Sequence, residues 1–191
     1  MRQIVYVCSL AAAIATIPAA PVLAQTTAVG PYYAVPSWDQ TIACGASANC
    51  PRFVVLSNFN NDAVLDRETG LVWQRSPSDT KVQGAFTQDT CSFLTIGDRE
   101  GWRVPTLPEL KSLVLPSKTE PALPDGHPFT NVHFTINFPS FDVYWTSTQD
   151  TVLTDRVDVV GFHDHNEGGR LSTTDFAFLW CVRGGAGYDG M

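Results

Sequence analysis

Short runs of alternating apolar residues, one sharply punctuated helix start and an even set of cysteines predict a mixed fold of helices and antiparallel strands fastened by disulfides. The strand signals are FVVLS at 53–57, Ala63 to Leu65, LVWQ at 71–74, VYWTST at 143–148, RVDVVGF at 156–162 and DFAFLWCVR at 175–183. The helix signal is GWRVPTLPELKSLV at 101–114, where Thr106 caps the first turn and Glu109, three residues on, reaches back to it. Pro108 sits in that first turn, where its missing N–H is no loss, and Leu107, Leu110, Leu113 and Val114 make one apolar stripe.

The first 24 residues read as a secretory signal: Arg2 precedes an apolar run from Ile4 to Ile17, and the segment ends in the small-residue pattern Val22-Leu23-Ala24. That run is about 14 residues, short of the roughly 20 a bilayer span needs, and no later stretch comes closer, so no membrane span is expected. Residues 25–52 carry Thr, Ala, Pro and Tyr with few charges and read as an arm or linker. A single domain at 53–185 and a short tail at 186–191 complete the chain.

Within the domain, the turn Asp66-Arg67-Glu68-Thr69-Gly70 joins two strands into a hairpin. Residues 84–96, with Phe86, Cys91, Phe93 and Leu94 in a polar context, read as a helix ending before Gly97. Residues 116–139 hold five prolines and no period, a long irregular excursion of the kind that carries function. The last three strand signals are separated by turns at 149–155 and 163–170 and form a small antiparallel sheet.

The formal charge is −7, with 12 basic and 19 acidic side chains, and losing Arg2 makes it one unit more negative. With no basic cluster, binding to nucleic acid, anionic lipid or sulfated polysaccharide through general electrostatics is not expected. A signal removes Cys8 and leaves Cys44, Cys50, Cys91 and Cys181, an even count in an oxidising compartment. Three connectivities are open. Cys44 with Cys50 and Cys91 with Cys181 is favoured, since the first closes a short loop and the second would tie a helix to the final strand. On the chain-entropy account the long loop is worth roughly 4.6 kcal/mol and the short one roughly 2.4.

Five segments together carry a resemblance: DRETGLVWQ at 66–74, the Cys91-Ser92-Phe93-Leu94 helix, GWRVPTLPEL at 101–110, FPSFDVYWTST at 138–148 and FLWCVRG at 178–184. In order and spacing they resemble the Lcl C-terminal domain family, bacterial secreted or surface domains named for the C-terminal region of a collagen-like adhesin. The resemblance implies an α+β, C-type-lectin-like fold related to formylglycine-generating enzymes, with two helices packed on twisted antiparallel strands and long loops. It also supports the pairing of Cys91 with Cys181. One departure is Trp180, which stands where the family often has an Arg before the cysteine.

Candidate site residues follow from side-chain chemistry. Trp102 and Arg103 are expected to fix the approach to the helix, the guanidinium tied to backbone carbonyls or a carboxylate, with ligand contact by Arg103 the alternative. Trp73, Trp145 and Trp180 are expected in the core. Were Tyr144 or Trp145 exposed beside the proline-rich excursion, either could stack on a sugar. His163 and His165, with Glu167 nearby, form the one candidate metal set, in a Gly-rich turn where solvated polar residues are the simpler account. No hydrolase, phosphate-loop or dinucleotide motif is present, so no cofactor is expected. The resulting expectation is a secreted or periplasmic, non-catalytic and adhesin-like binding module for a glycan or an envelope or surface protein. The alternatives are a metal-dependent enzyme using residues 163–167, or a structural part of an envelope or appendage assembly docked through the arm.

Overall fold

The computed structural model describes residues 51–137, 140–163 and 168–185. The signal segment, the arm with Cys44 and Cys50, and the tail lie outside the described residues. In chain order the elements are β1 (Phe53–Val55), β2 (Ala63–Asp66), β3 (Val72–Gln74), β4 (Val82–Gln83), α1 (Thr87–Ser92), β5 (Trp102–Arg103) and α2 (Leu107–Lys111). Then come β6 (Ile136–Asn137), β7 (Ser140–Phe141), β8 (Val143–Gln149), β9 (Arg156–Gly161), β10 (Gly169–Ser172), β11 (Phe176–Ala177) and β12 (Val182–Arg183).

Antiparallel strands dominate, in a five-stranded sheet ordered β1-β2-β3-β12-β5, a three-stranded sheet β10-β9-β8, and the two-stranded pairs β11-β4 and β6-β7. The hairpin at 66–70 forms as expected. Gly70 adopts φ +72° and its N–H donates to the Asp66 carbonyl at 2.8 Å. Asp66, fully buried, accepts two bonds from the Arg52 guanidinium at 2.9 and 2.8 Å, and Arg52 also donates to the Ser112 carbonyl at 2.8 Å, tying the first strand to α2.

Residues 175–183 do not form one strand. They divide into β11 and β12, and the chain between them changes partners: Phe178 bridges Tyr144, Leu179 N–H donates to Ser78 Oγ at 2.9 Å, and Cys181 N–H donates to Gln74 Oε1 at 2.7 Å. The period of two nevertheless persists. Phe178, Trp180 and Val182 enter one hydrophobic cluster while Ala177, Leu179 and Cys181 enter the other, so this segment is the partition between two cores. Burial on both faces is why the sequence there is almost uninterruptedly apolar.

Both helices are shorter than their sequence signals. Residues 84–86 are a 3₁₀ turn, and α1 covers only Thr87–Ser92. Thr90 Oγ1 donates to the Phe86 carbonyl and Ser92 Oγ to the Asp89 carbonyl, hydroxyl bonds of the kind that weaken helix interiors. The stop at Gly97 is steric as well as conformational. At φ +56° a Cβ there would lie 2.4 Å from the Phe59 Cα. In α2 the predicted box is present, and Leu110 and Leu113 are buried while Leu107 and Val114 pack at the core margin.

The proline-rich excursion is not simply a display loop. Ala122, Leu123 and Phe129 from it are buried in the domain. Its residue 127 sets a pH dependence, because burial lowers the His127 pKa, opposed by a backbone hydrogen bond at Phe129. The folded state then favours neutral imidazole, so its stabilising contribution is complete above the unfolded value near 6.5 and is lost as pH falls below it. A stability profile from pH 8 to 5 should slope downward below 6.5 in the parent chain and flatten in His127→Gln.

Candidate functional site

The Trp-Arg pair before α2 is built into the scaffold. Trp102 is buried and donates from Nε1 to the Arg99 carbonyl at 3.0 Å. Arg103 makes a two-pronged bond to Glu109, Nη1 to Oε2 at 2.8 Å and Nη2 to Oε1 at 2.7 Å, and Nη2 also donates to the Gly184 carbonyl at 2.7 Å. The same Glu109 closes the capping box, since its Oε2 accepts the Thr106 N–H at 2.8 Å and its own N–H donates to Thr106 Oγ1 at 3.4 Å. One buried carboxylate therefore joins the helix start, β5 and the chain after β12. These bonds engage both terminal nitrogens of Arg103, the donor fork that a ligand carboxylate would use. Glu109→Gln should lower the unfolding free energy by about 2 kcal/mol, because a charge-assisted pair becomes a neutral contact facing a part-buried cation. Urea denaturation measures it, and Arg103→Lys should lose a similar amount because an ammonium cannot supply the fork.

Tyr144 and Trp145 are buried, not exposed beside the excursion, so neither offers a face to a sugar. The Tyr144 hydroxyl accepts the His133 N–H at 2.6 Å, and burial pushes the phenol pKa well above its ordinary range. Trp145 Nε1 donates to the Val82 carbonyl at 2.8 Å. Consecutive residues of β8 point to opposite faces, and here both faces are core: Tyr144 belongs to the cluster around Trp180 and Trp145 to the cluster around Cys91. The Cys91–Cys181 disulfide is formed and buried, joining α1 to the segment that enters β12.

Of the metal set, His163 is buried, its ring 6.1 Å from that of Phe141, while His165 and Glu167 lie outside the described residues. Among the described residues no three His, Cys, Asp or Glu side chains are grouped to hold a metal ion.

The apolar surface lies elsewhere. Phe93 is 83 % exposed and Phe86 57 %, and they stand seven residues apart on the outer side of the 84–93 helical stretch, with exposed Thr90 between them. Phe176, 60 % exposed, projects from β11 opposite Gln83, just before that helical stretch. The inner side carries Cys91, the single buried residue of α1. The sequence held a signal for this surface: Phe86 and Phe93 share one helical face, and Cys91 lies on the other, so the apolar residues of 84–94 do not make one stripe.

A family model described as the Lcl C-terminal domain matches residues 62–183, well over half of the chain. The chain belongs to the Lcl C-terminal domain family. Its match begins at the hairpin and ends at β12, so it spans the Arg103–Glu109 fork, the capped helix and both bonded cysteines. A comparison with curated proteins returns no match. Within the described part of this Lcl C-terminal domain no helix is long and apolar enough to cross a membrane.

Proposed function

We propose that the chain is an exported, non-catalytic binding module on a C-type-lectin-like plan, which docks a protein of the bacterial envelope or surface through the outer face of α1. The plan is supported by antiparallel sheets flanked by two short helices, with a helix bonded to the last strand. Export is supported by the amino-terminal signal pattern and by a disulfide, a bond that persists in oxidising compartments.

The observation that carries the reading is the exposure of Phe86 and Phe93, which flank a helix covalently fixed to the scaffold. Large aromatics held outward on a rigid element are the usual anchors of protein interfaces. A protein partner is favoured over a glycan because the residues suited to sugar stacking, Tyr144 and Trp145, are buried, and phenylalanine lacks their polar handle. A photo-cross-linking residue at position 93 should give a discrete protein adduct in the parent envelope, and Phe86→Ser should abolish that adduct without lowering the melting temperature. An adduct unchanged by Phe86→Ser, or one equally formed from the exposed position 152 in the 149–155 turn, contradicts this reading.

A further inference from the structure

A second surface feature is polar. A cleft of about 460 Å³ opens where α2 meets the β9–β10 pair, with Leu107 and Lys111 on one side and Asp158, Val159, Gly169 and Arg170 on the other. Arg170 stands opposite Asp158 in the strand register, its Nε 3.6 Å from Asp158 Oδ1, and the same Nε meets Asp150 Oδ2. Asp150 is itself immobilised, its Oδ1 accepting the N–H groups of Val152 and Leu153 at 2.7 Å each. Those two bonds hold its carboxyl below the usual carboxylate range, so it remains an anion that steers the guanidinium.

In both ion pairs of Arg170 the approach to the carboxylate is through Nε. Its two terminal nitrogens have no hydrogen-bond partner among the described residues, and Lys111 has no ion pair among them. A fixed guanidinium with its outer edge unused, next to an uncommitted ammonium, is suited to a carboxylate. Asp158 lines the cleft with the two cations, so both signs are presented to a ligand side by side. A ligand that carries both signs matches the three charged groups that line the cleft, Lys111, Arg170 and Asp158.

We propose that this cleft binds the zwitterionic head of a free amino acid, its carboxylate held by Lys111 and the terminal nitrogens of Arg170 and its ammonium by Asp158. Leu107 supplies an apolar wall for the side chain. The site uses no residue of α1, so its test is independent of the protein-docking reading.

The test is a ¹⁵N NMR titration of the full chain with glycine and L-leucine in turn, then with L-leucinamide, which lacks the carboxylate, and 4-methylpentanoate, which lacks the ammonium. Saturable shifts at the Gly169 and Lys111 amides are expected with an amino acid, and binding at least about tenfold weaker for each truncated analogue. Lys111→Gln should remove the response and leave the melting temperature unchanged, because that ammonium is exposed and unpaired. No saturable shift with either amino acid, equal binding of an analogue, or full binding by Lys111→Gln overturns the proposal.

Discussion

Replacing Cys91 and Cys181 together by Ala should lower the unfolding free energy by about 4.6 kcal/mol, because the bridge spans 90 positions and removes that much loop-closure freedom from the unfolded chain. Domains of this size hold about 5–15 kcal/mol in total, so a large part of the stability disappears. In thermal terms the midpoint should fall by roughly 15 °C. The denaturant slope should rise as well, since an unbridged chain exposes more surface when it unfolds.

The loss should also be local. Cys91 is the single buried residue of α1, and the flanking Phe86 and Phe93 are exposed, so no apolar stripe holds the helix to the sheet. Amides of residues 84–94 should therefore exchange faster in the double variant than those of β8 or β9, beyond the global change. Equal acceleration everywhere would mean that other contacts fix the helix.

Trp180→Ala should cost about 3–5 kcal/mol, the range for removing a large buried aromatic. Its indole is fully buried and touches the rings of Phe129 at 4.9 Å, Phe162 at 5.3 Å, Tyr144 at 5.6 Å and Trp73 at 6.0 Å between centroids. Those rings come from the excursion, β8, β3 and the end of β9, so one truncation loosens four parts of the chain at once. The indole N–H also donates to the Gln74 carbonyl at 2.8 Å. Trp180→Phe should cost only about 1–2 kcal/mol, since most of the volume and the edge-to-face contacts survive. Chemical denaturation of the two variants separates volume from hydrogen bonding.

Local rules made part of this fold readable in the sequence. The Thr106 to Glu109 box is a four-residue pattern with one geometric solution, and the turn ending in Gly70 is equally local. The Cys91–Cys181 bond is legible because a helix and a terminal strand are each recognisable in the sequence. The segment from Phe176 to Arg183 was not readable as two strands, because its alternation continues while its hydrogen-bond partners change from β4 to side chains of Ser78 and Gln74 and then to β3 and β5. Partners distant in sequence leave no trace in periodicity.

The surface was less legible than the scaffold for a related reason. Tyr144 and Trp145 occupy opposite faces of one strand, and a sequence pattern cannot tell that both faces meet cores. Arg170 falls in the turn that the sequence predicts at 163–170, whereas it belongs to β10 and faces Asp158 across the ladder. Phe86 and Phe93 fall within the helix that the sequence predicts at 84–96, and their spacing from Cys91 separates them from its buried side.

A covalently tied scaffold underlies the proposed docking surface. Peptide mapping by mass spectrometry of the unreduced full-length protein tests it most directly. The account predicts one linked species joining the peptide of Cys91 to that of Cys181. Recovery of either cysteine as a free thiol, or joined to Cys44 or Cys50, would contradict it.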